Sequence, residues 1–185
     1  MWAPDSRQIV TFTDLQLRAT VWSLVEQKPI AHLRGPKYIP PRGISITKNR
    51  KFLALLERRD SKDWVSIYFA GSDWKLVNTF EANEAFDAAD LTWCREDTCI
   101  LVYDTPLEAK FWVYSAMTGD CVVRHNLTVP VPLSSGGNTV GLGLGIKSVS
   151  VSPNGVYVAV STYDSKVRIF NGISMKEVSA FDHQP

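Results

Sequence analysis

The run Val151-Ser152-Pro153-Asn154-Gly155-Val156-Tyr157-Val158-Ala159-Val160-Ser161-Thr162-Tyr163-Asp164-Ser165-Lys166-Val167-Arg168-Ile169-Phe170-Asn171 decides the fold. Pro153, Asn154 and Gly155 supply the preset or positive φ values of a tight turn, and an apolar, β-branched run follows them. A polar Asp164-Ser165 pair then leads into Val167-Arg168-Ile169-Phe170, which alternates with period two. Such alternation suits a strand, and turn residues interrupt each run before a helix of about 11 residues could form. The stretch reads as strand, turn, strand, turn, strand.

Outward from it, the same order recurs. The turn phrase returns, degenerate, as Trp2-Ala3-Pro4-Asp5-Ser6-Arg7, Ile46-Thr47-Lys48-Asn49-Arg50-Lys51 and Trp93-Cys94-Arg95-Glu96-Asp97-Thr98. Starts at 2, 46, 93 and 151 are spaced by 44, 47 and 58 residues. In each unit an acidic residue, Asp14, Asp60, Asp104 or Asp164, precedes a strand ending in an aromatic: Leu17 to Trp22, Val65 to Tyr68, Phe111 to Tyr114, Val167 to Phe170. A fourth strand follows at Lys28 to Leu33, Lys75 to Phe80, Cys121 to His125 and Glu177 to Phe181. Four short strands per unit of roughly 45 residues predict the blades of an all-β propeller. The predicted blades are 2–33, 34–80, 81–125 and 140–181, the first with three strands, and 126–139 reads as a long inter-blade loop. The chain opens at the end of an innermost strand and stops where another repeat would begin, so the reading is a fragment of a larger ring, and the family resemblance set out below implies seven or eight blades, possibly double. Alone, such a piece is expected to be poorly soluble, since its flanking sheet faces lack neighbours.

Composition narrows the function. At 185 residues, 45% hydrophobic and 21% charged, the chain is too apolar for a disordered tail. Twenty basic residues against nineteen acidic ones leave a net charge of +1, so neither nucleic acid nor an anionic membrane is expected as the main partner. The start, Met1-Trp2-Ala3-Pro4-Asp5, lacks the features of a signal peptide, which predicts a cytosolic chain. Cys94, Cys99 and Cys121 form no Cys-x-x-Cys pair and read as free thiols. The scattered His32, His125 and His183 argue against a shared metal. In the glycine-rich run Gly136 to Ser148, Ile146 separates Gly145 from Lys147, so it fails as a phosphate loop and reads as an extended connection. Gly43-Ile44-Ser45-Ile46-Thr47 lacks the last glycine of a nucleophile elbow. Asn126-Leu127-Thr128 is a glycosylation sequon without a secretory context. No catalytic set, cofactor or metal is expected.

The phrase Asp164 to Asn171 resembles the closing phrase of the WD-repeat family, with Phe170 for Trp and Asn171 for the final Asp. Trp22-Ser23 stands where the Trp-Asp pair would be, and Asp182-His183 is what remains of the opening Gly-His. The resemblance implies that Asp14, Asp60, Asp104 and Asp164 are structural turn residues accepting hydrogen bonds. The runs Leu55 to Tyr68, Ser72-Asp73-Trp74, Gly143 to Val149 and Tyr163 to Ile169 are similar to a centrosomal and spindle-pole branch of that family. That likeness implies a non-enzymatic scaffold in the cytoplasm and cytoskeleton, at the centrosome or spindle pole. Its role there would be to help a coiled-coil adaptor anchor microtubule minus ends and, in fungi, to work with a minus-end-directed kinesin.

The segment Glu57-Arg58-Arg59-Asp60-Ser61-Lys62-Asp63-Trp64 is read as a loop between second and third strands, on the same face as Asp14, Tyr163 and Lys147. A protruding Trp beside Arg suits an interface hot spot, which makes Arg58, Arg59, Lys62, Trp64, Tyr163 and Lys147 the candidate partner-binding residues. Three alternatives stand beside it. One is a solvated segment whose charges cancel, with Trp64 packed between blades; another is phosphoinositide binding through Arg58 and Arg59, opposed by Glu57 and Asp60. The third is a propeller regulating an enzyme outside these residues.

Overall fold

The computed structural model of the chain describes residues 1–13, 18–71, 73–104, 109–127, 129–132, 139–142 and 145–182. Among them every regular element is a strand. β1 (Gln8–Phe12), β2 (Arg18–Ser23) and β3 (Lys28–Arg34) form a three-stranded sheet. Residues Met1 to Ala3 run antiparallel along β1, with Trp2 bridging Ile9 and the Met1 amine donating to the Val10 carbonyl at 2.7 Å. The second sheet is β4 (Ile44–Ile46), β5 (Phe52–Arg59), β6 (Lys62–Phe69) and β7 (Leu76–Glu81). The third is β8 (Ala88–Cys94), β9 (Cys99–Asp104), β10 (Lys110–Ser115) and β11 (Cys121–Asn126). A hairpin of β12 (Val129–Pro132) and β13 (Thr139–Leu142) precedes the last sheet, β14 (Ile146–Val151), β15 (Tyr157–Thr162), β16 (Lys166–Asn171) and β17 (Glu177–Asp182). Strands in each sheet pair antiparallel in chain order, the product of short turns that leave no room for a crossover.

The alternation of side chains across each strand builds three cores from four sheets. In the third sheet Ile100, Val102, Trp112 and Tyr114 point to the second sheet, whereas Leu101, Phe111 and Val113 point to the fourth. This explains why β9 is buried at all six positions: both faces are covered. Likewise Leu53, Leu55 and Tyr68 pack with Val10, Val21 and Leu33 of the first sheet, while Ala54, Leu56, Val65 and Ile67 pack with the third. Fully burying each such side chain contributes roughly 1.5–3 kcal/mol, which drives consecutive sheets face to face. At Gly119, in the turn before β11, φ is +77° and an added Cβ would lie 2.6 Å from the Phe80 Cβ, so only glycine lets this turn approach β7. The two outermost sheet faces stay open, with Trp22 on the first sheet, and Tyr157 and Phe181 on the fourth, exposed. Inner strand β4 lies beside β8, and β8 beside β14.

Two expectations change. The 126–139 loop carries part of a hairpin: Val129 pairs with Leu142 and Pro132 with Thr139, while 133–138 lie outside the described residues. Prolines argue against a central strand, but in a two-stranded ladder a missing N–H can face away from the partner. The Glu57–Trp64 segment is no loop. Glu57 pairs with Trp64 and Arg59 with Lys62 across a two-residue turn, Asp60 and Ser61, whose φ values of 49° and 62° are those of a type I′ hairpin. The expected strand start at Leu17, like Asp14, falls outside the described residues.

Candidate partner-docking face

In an antiparallel meander, the turn between second and third strands and the connection to the next sheet fall at the same end. The β5–β6 turn, the β15–β16 turn, and the connectors at 35–43 and 82–87 therefore share one face. Two of these connectors are stitched side by side. The Lys37 ammonium donates to Asp87 at 2.6 Å, to the Ala88 carbonyl at 2.7 Å and to Asp63 at 2.9 Å. Tyr38 Oη donates to the same carbonyl at 3.2 Å, Arg42 Nε to the Ala89 carbonyl at 2.9 Å, and the Gly43 N–H to Asp90 at 2.6 Å. Arg42 also stacks 4.0 Å over the Tyr38 ring.

Asp63 is the hub. Its side chain is 1% exposed and accepts from Lys37, from Arg58 at 2.9 Å and from the buried Ala88 N–H at 2.8 Å. A carboxylate this buried is tolerable because two cations and a backbone donor replace its water. The hydrogen-bonding role expected of Asp60 thus belongs to Asp63 three residues later, while Asp60 sits exposed at the turn tip. Asp104 accepts the Phe86 and Asp87 N–H groups at 3.4 and 3.0 Å. Asp164 accepts from Arg168 at 2.6 Å, from the Lys166 N–H at 3.2 Å and from the Thr162 hydroxyl. The Arg168 guanidinium, foremost, holds the Asp164 carboxyl down at about 2. Asp90, between Gly43 and Tyr103, is pushed up by burial against the pull of its hydrogen bonds.

The candidate partner-binding residues are more engaged than their charge suggests. Arg58 is tied to Asp63 and, at 3.4 Å, to Asp87. Arg59 covers the Trp64 ring at 4.2 Å, donates to Thr79 at 2.9 Å and lies 3.3 Å from Glu57. Lys62 pairs with Glu81 at 3.0 Å. Trp64 does not protrude: it is half-buried, opposite Glu57, and its indole Nε1 is buried without a partner among the described residues. Glu57 is 3% exposed, receives the Tyr68 hydroxyl at 3.1 Å, and is pushed up by burial. Tyr163 is half exposed and Lys147 exposed on the same face, two sheets along, in the fourth sheet. The arginine pair is thus neutralised by Asp63, Asp87 and Glu57, which removes the free cationic patch a lipid headgroup needs.

Residues the sequence reading passed over are prominent here. Phe86 is 85% exposed on the connector that Asp104 holds, and Ile39 is 51% exposed on the adjoining one. An aromatic standing alone in the polar run Asn83-Glu84-Ala85-Phe86-Asp87 was the available signal for the first. Nothing local marked the pairing of Lys37 with Asp63 and Asp87, which lie 26 and 50 residues away along the chain.

Elsewhere the chemistry is quiet. Among the described residues no group of three His, Cys, Asp or Glu side chains gathers as a metal site. His32 meets Thr20 at 3.2 Å, and His125 stacks on Phe111 at 4.7 Å between centroids; His183 lies outside the described residues. The three cysteines are free, and burial pushes the Cys94 thiol up to about 12.

No family model matches the chain. A chain in a crystal structure of the mitotic checkpoint complex matches its fold with a TM-score of 0.64 at 12% identity, over 99% of this chain and 50% of that one. That likeness shows a β-propeller fold, and with the 35% identity to a WD-repeat relative over nearly the whole chain, the chain belongs to the WD-repeat β-propeller proteins. In sequence it is similar to mouse WD repeat-containing protein WRAP73, 35% identical over 186 residues. The match takes in 98% of this chain and 36% of the mouse protein, so the chain spans just over a third of that relative's length.

Proposed function

We propose that this chain is the docking portion of a non-enzymatic WD-repeat scaffold, and that protein partners bind the face bearing the 35–43 and 82–87 connectors. The observation that carries this is Phe86, 85% exposed yet held by a connector whose N–H groups are clamped by Asp104. An exposed aromatic on a fixed backbone binds with little entropy to lose, which is the property of a hot spot. Ile39 and Tyr163 extend the apolar surface, and Arg42, with its planar end over Tyr38, offers hydrogen bonds at its centre. The likeness of Leu55 to Tyr68 to spindle-pole WD-repeat proteins supports a narrower reading: a subunit of a centrosome or spindle-pole complex that helps a coiled-coil adaptor anchor microtubule minus ends. The test is capture from dividing cells of the full-length protein containing this chain, tagged, in parallel with Phe86→Ala and Arg42→Ala. A coiled-coil spindle-pole adaptor recovered with the parent and reduced at least about tenfold by Phe86→Ala is expected. The same adaptor at undiminished yield refutes the face; absence of the parent from spindle poles refutes the narrower reading.

A further inference from the structure

A second site lies at the opposite end of the sheets, independent of the docking face. We propose that the cavity between the inner strands β4, β8 and β14 binds a glutamate side chain of an acidic partner peptide. The cavity is about 300 Å³ and is walled by Ile46, Trp93 and Val151, with Lys48, Arg95, Glu96 and Asp97 at its polar side. Among the described residues neither cation has an ion-pair partner, and Arg95 Nε is buried with no hydrogen-bond acceptor. A buried guanidinium N–H without an acceptor is costly, and a carboxylate is the group that satisfies it with matched geometry and charge. Lys48 Nζ lies 3.0 Å from where a Cβ on Gly155 would stand, which puts the ammonium against the fourth sheet's first turn, across the mouth from the third sheet.

The acids nearby do not answer these cations. Asp97 is occupied by the Lys48 and Asn49 N–H groups at 3.1 and 3.4 Å, and Glu96 is exposed to solvent. The Asp97 contacts instead lock the β8–β9 turn to the β4–β5 turn, fixing Arg95 in place. Arg95, Glu96 and Asp97 carry successive φ values of 49°, 55° and 65°, left-handed backbone without a glycine, and Thr98 Oγ1 donating to the Arg95 carbonyl at 2.6 Å helps hold it. The mixed lining selects among anions. A glutamate lays its methylenes on Ile46, Trp93 and Val151 while its carboxylate reaches Arg95 and Lys48, whereas inorganic phosphate has no apolar stem to cover those walls.

The experiment is saturation-transfer-difference NMR on the full-length protein containing this chain at micromolar concentration, with the capped tripeptide acetyl-Ala-Glu-Ala-amide as probe and acetyl-Ala-Gln-Ala-amide as control. The expected result is a saturable response strongest on the glutamate β and γ methylenes. It weakens about tenfold in Arg95→Gln and in Lys48→Gln, with melting temperatures unchanged. Lys48 is exposed, so its variant remains informative if Arg95→Gln misfolds. An equal response from the glutamine peptide, a response that neither variant alters, or saturation by inorganic phosphate with none by the peptide overturns the proposal.

Discussion

Replacing Asp63 by alanine removes a side chain that is 1% exposed and joins the second sheet to the connector entering the third. Three groups lose their acceptor. Ala88 N–H, on a residue with 0% exposure, is left unsatisfied, which costs about 1–3 kcal/mol. Lys37, whose side chain is 10% exposed, keeps Asp87 and the Ala88 carbonyl but loses the buried half of its pairing. Arg58 is 40% exposed, so solvent screens its loss and it adds less than about 1 kcal/mol. Breaking a buried ion pair from one side costs about 3–5 kcal/mol, so Asp63→Ala is expected to destabilise by roughly that amount. Asp63→Asn keeps an acceptor for Ala88 N–H and is expected to fall about midway, while Asp60→Ala at the exposed turn tip stays within about 1 kcal/mol. Urea unfolding at pH 7, followed by tryptophan fluorescence, measures all three. A loss below about 1 kcal/mol for Asp63→Ala, or a larger loss at Asp60 than at Asp63, would refute the assignment of the hub.

Asp164 is held at about 2 against an ordinary value of 3.8, so its contribution is present above pH 4 and disappears as pH falls from about 4 to 2. The stability difference between the parent and Asp164→Asn should be on the order of 2 kcal/mol at pH 6 and shrink through that window; a pH-independent difference would contradict the pairing with Arg168. Gly119→Ala combines a positive φ of 77° with a 2.6 Å approach to Phe80, and should cost about 2–4 kcal/mol in the same unfolding assay. Thiol labelling at pH 8 should modify Cys121 before the others, since Cys94 and Cys99 are buried and the Cys94 thiol is pushed up to about 12; rapid labelling of all three in the folded chain would show the third sheet to be open.

Period-two alternation and turn residues are local properties, so Val158 to Val160 and Val167 to Phe170 could be read as strands, and their recurrence as four sheets, without knowing any contact. The polar turn Asp164-Ser165 was equally legible, because its acceptor role is played out within four residues, by Thr162, Lys166 and Arg168. The β5–β6 hairpin marks the limit of that reasoning. Arg58, Arg59, Asp60, Lys62 and Asp63 are five charges in six residues, and the sequence does not say which is buried; register decides it. Asp63 faces Lys37 and Ala88 because the third sheet docks there, while Asp60 falls at the tip of the turn. The same docking lays Arg59 over Trp64 and leaves Phe86 exposed. The chain's alternation and turns by themselves determined a repeat of four short strands. Only the packing of one sheet on the next decided which carboxylate is buried, which arginines are spent on internal pairs and which aromatic faces solvent, because those outcomes depend on groups tens of residues apart and on the desolvation that bringing them together imposes.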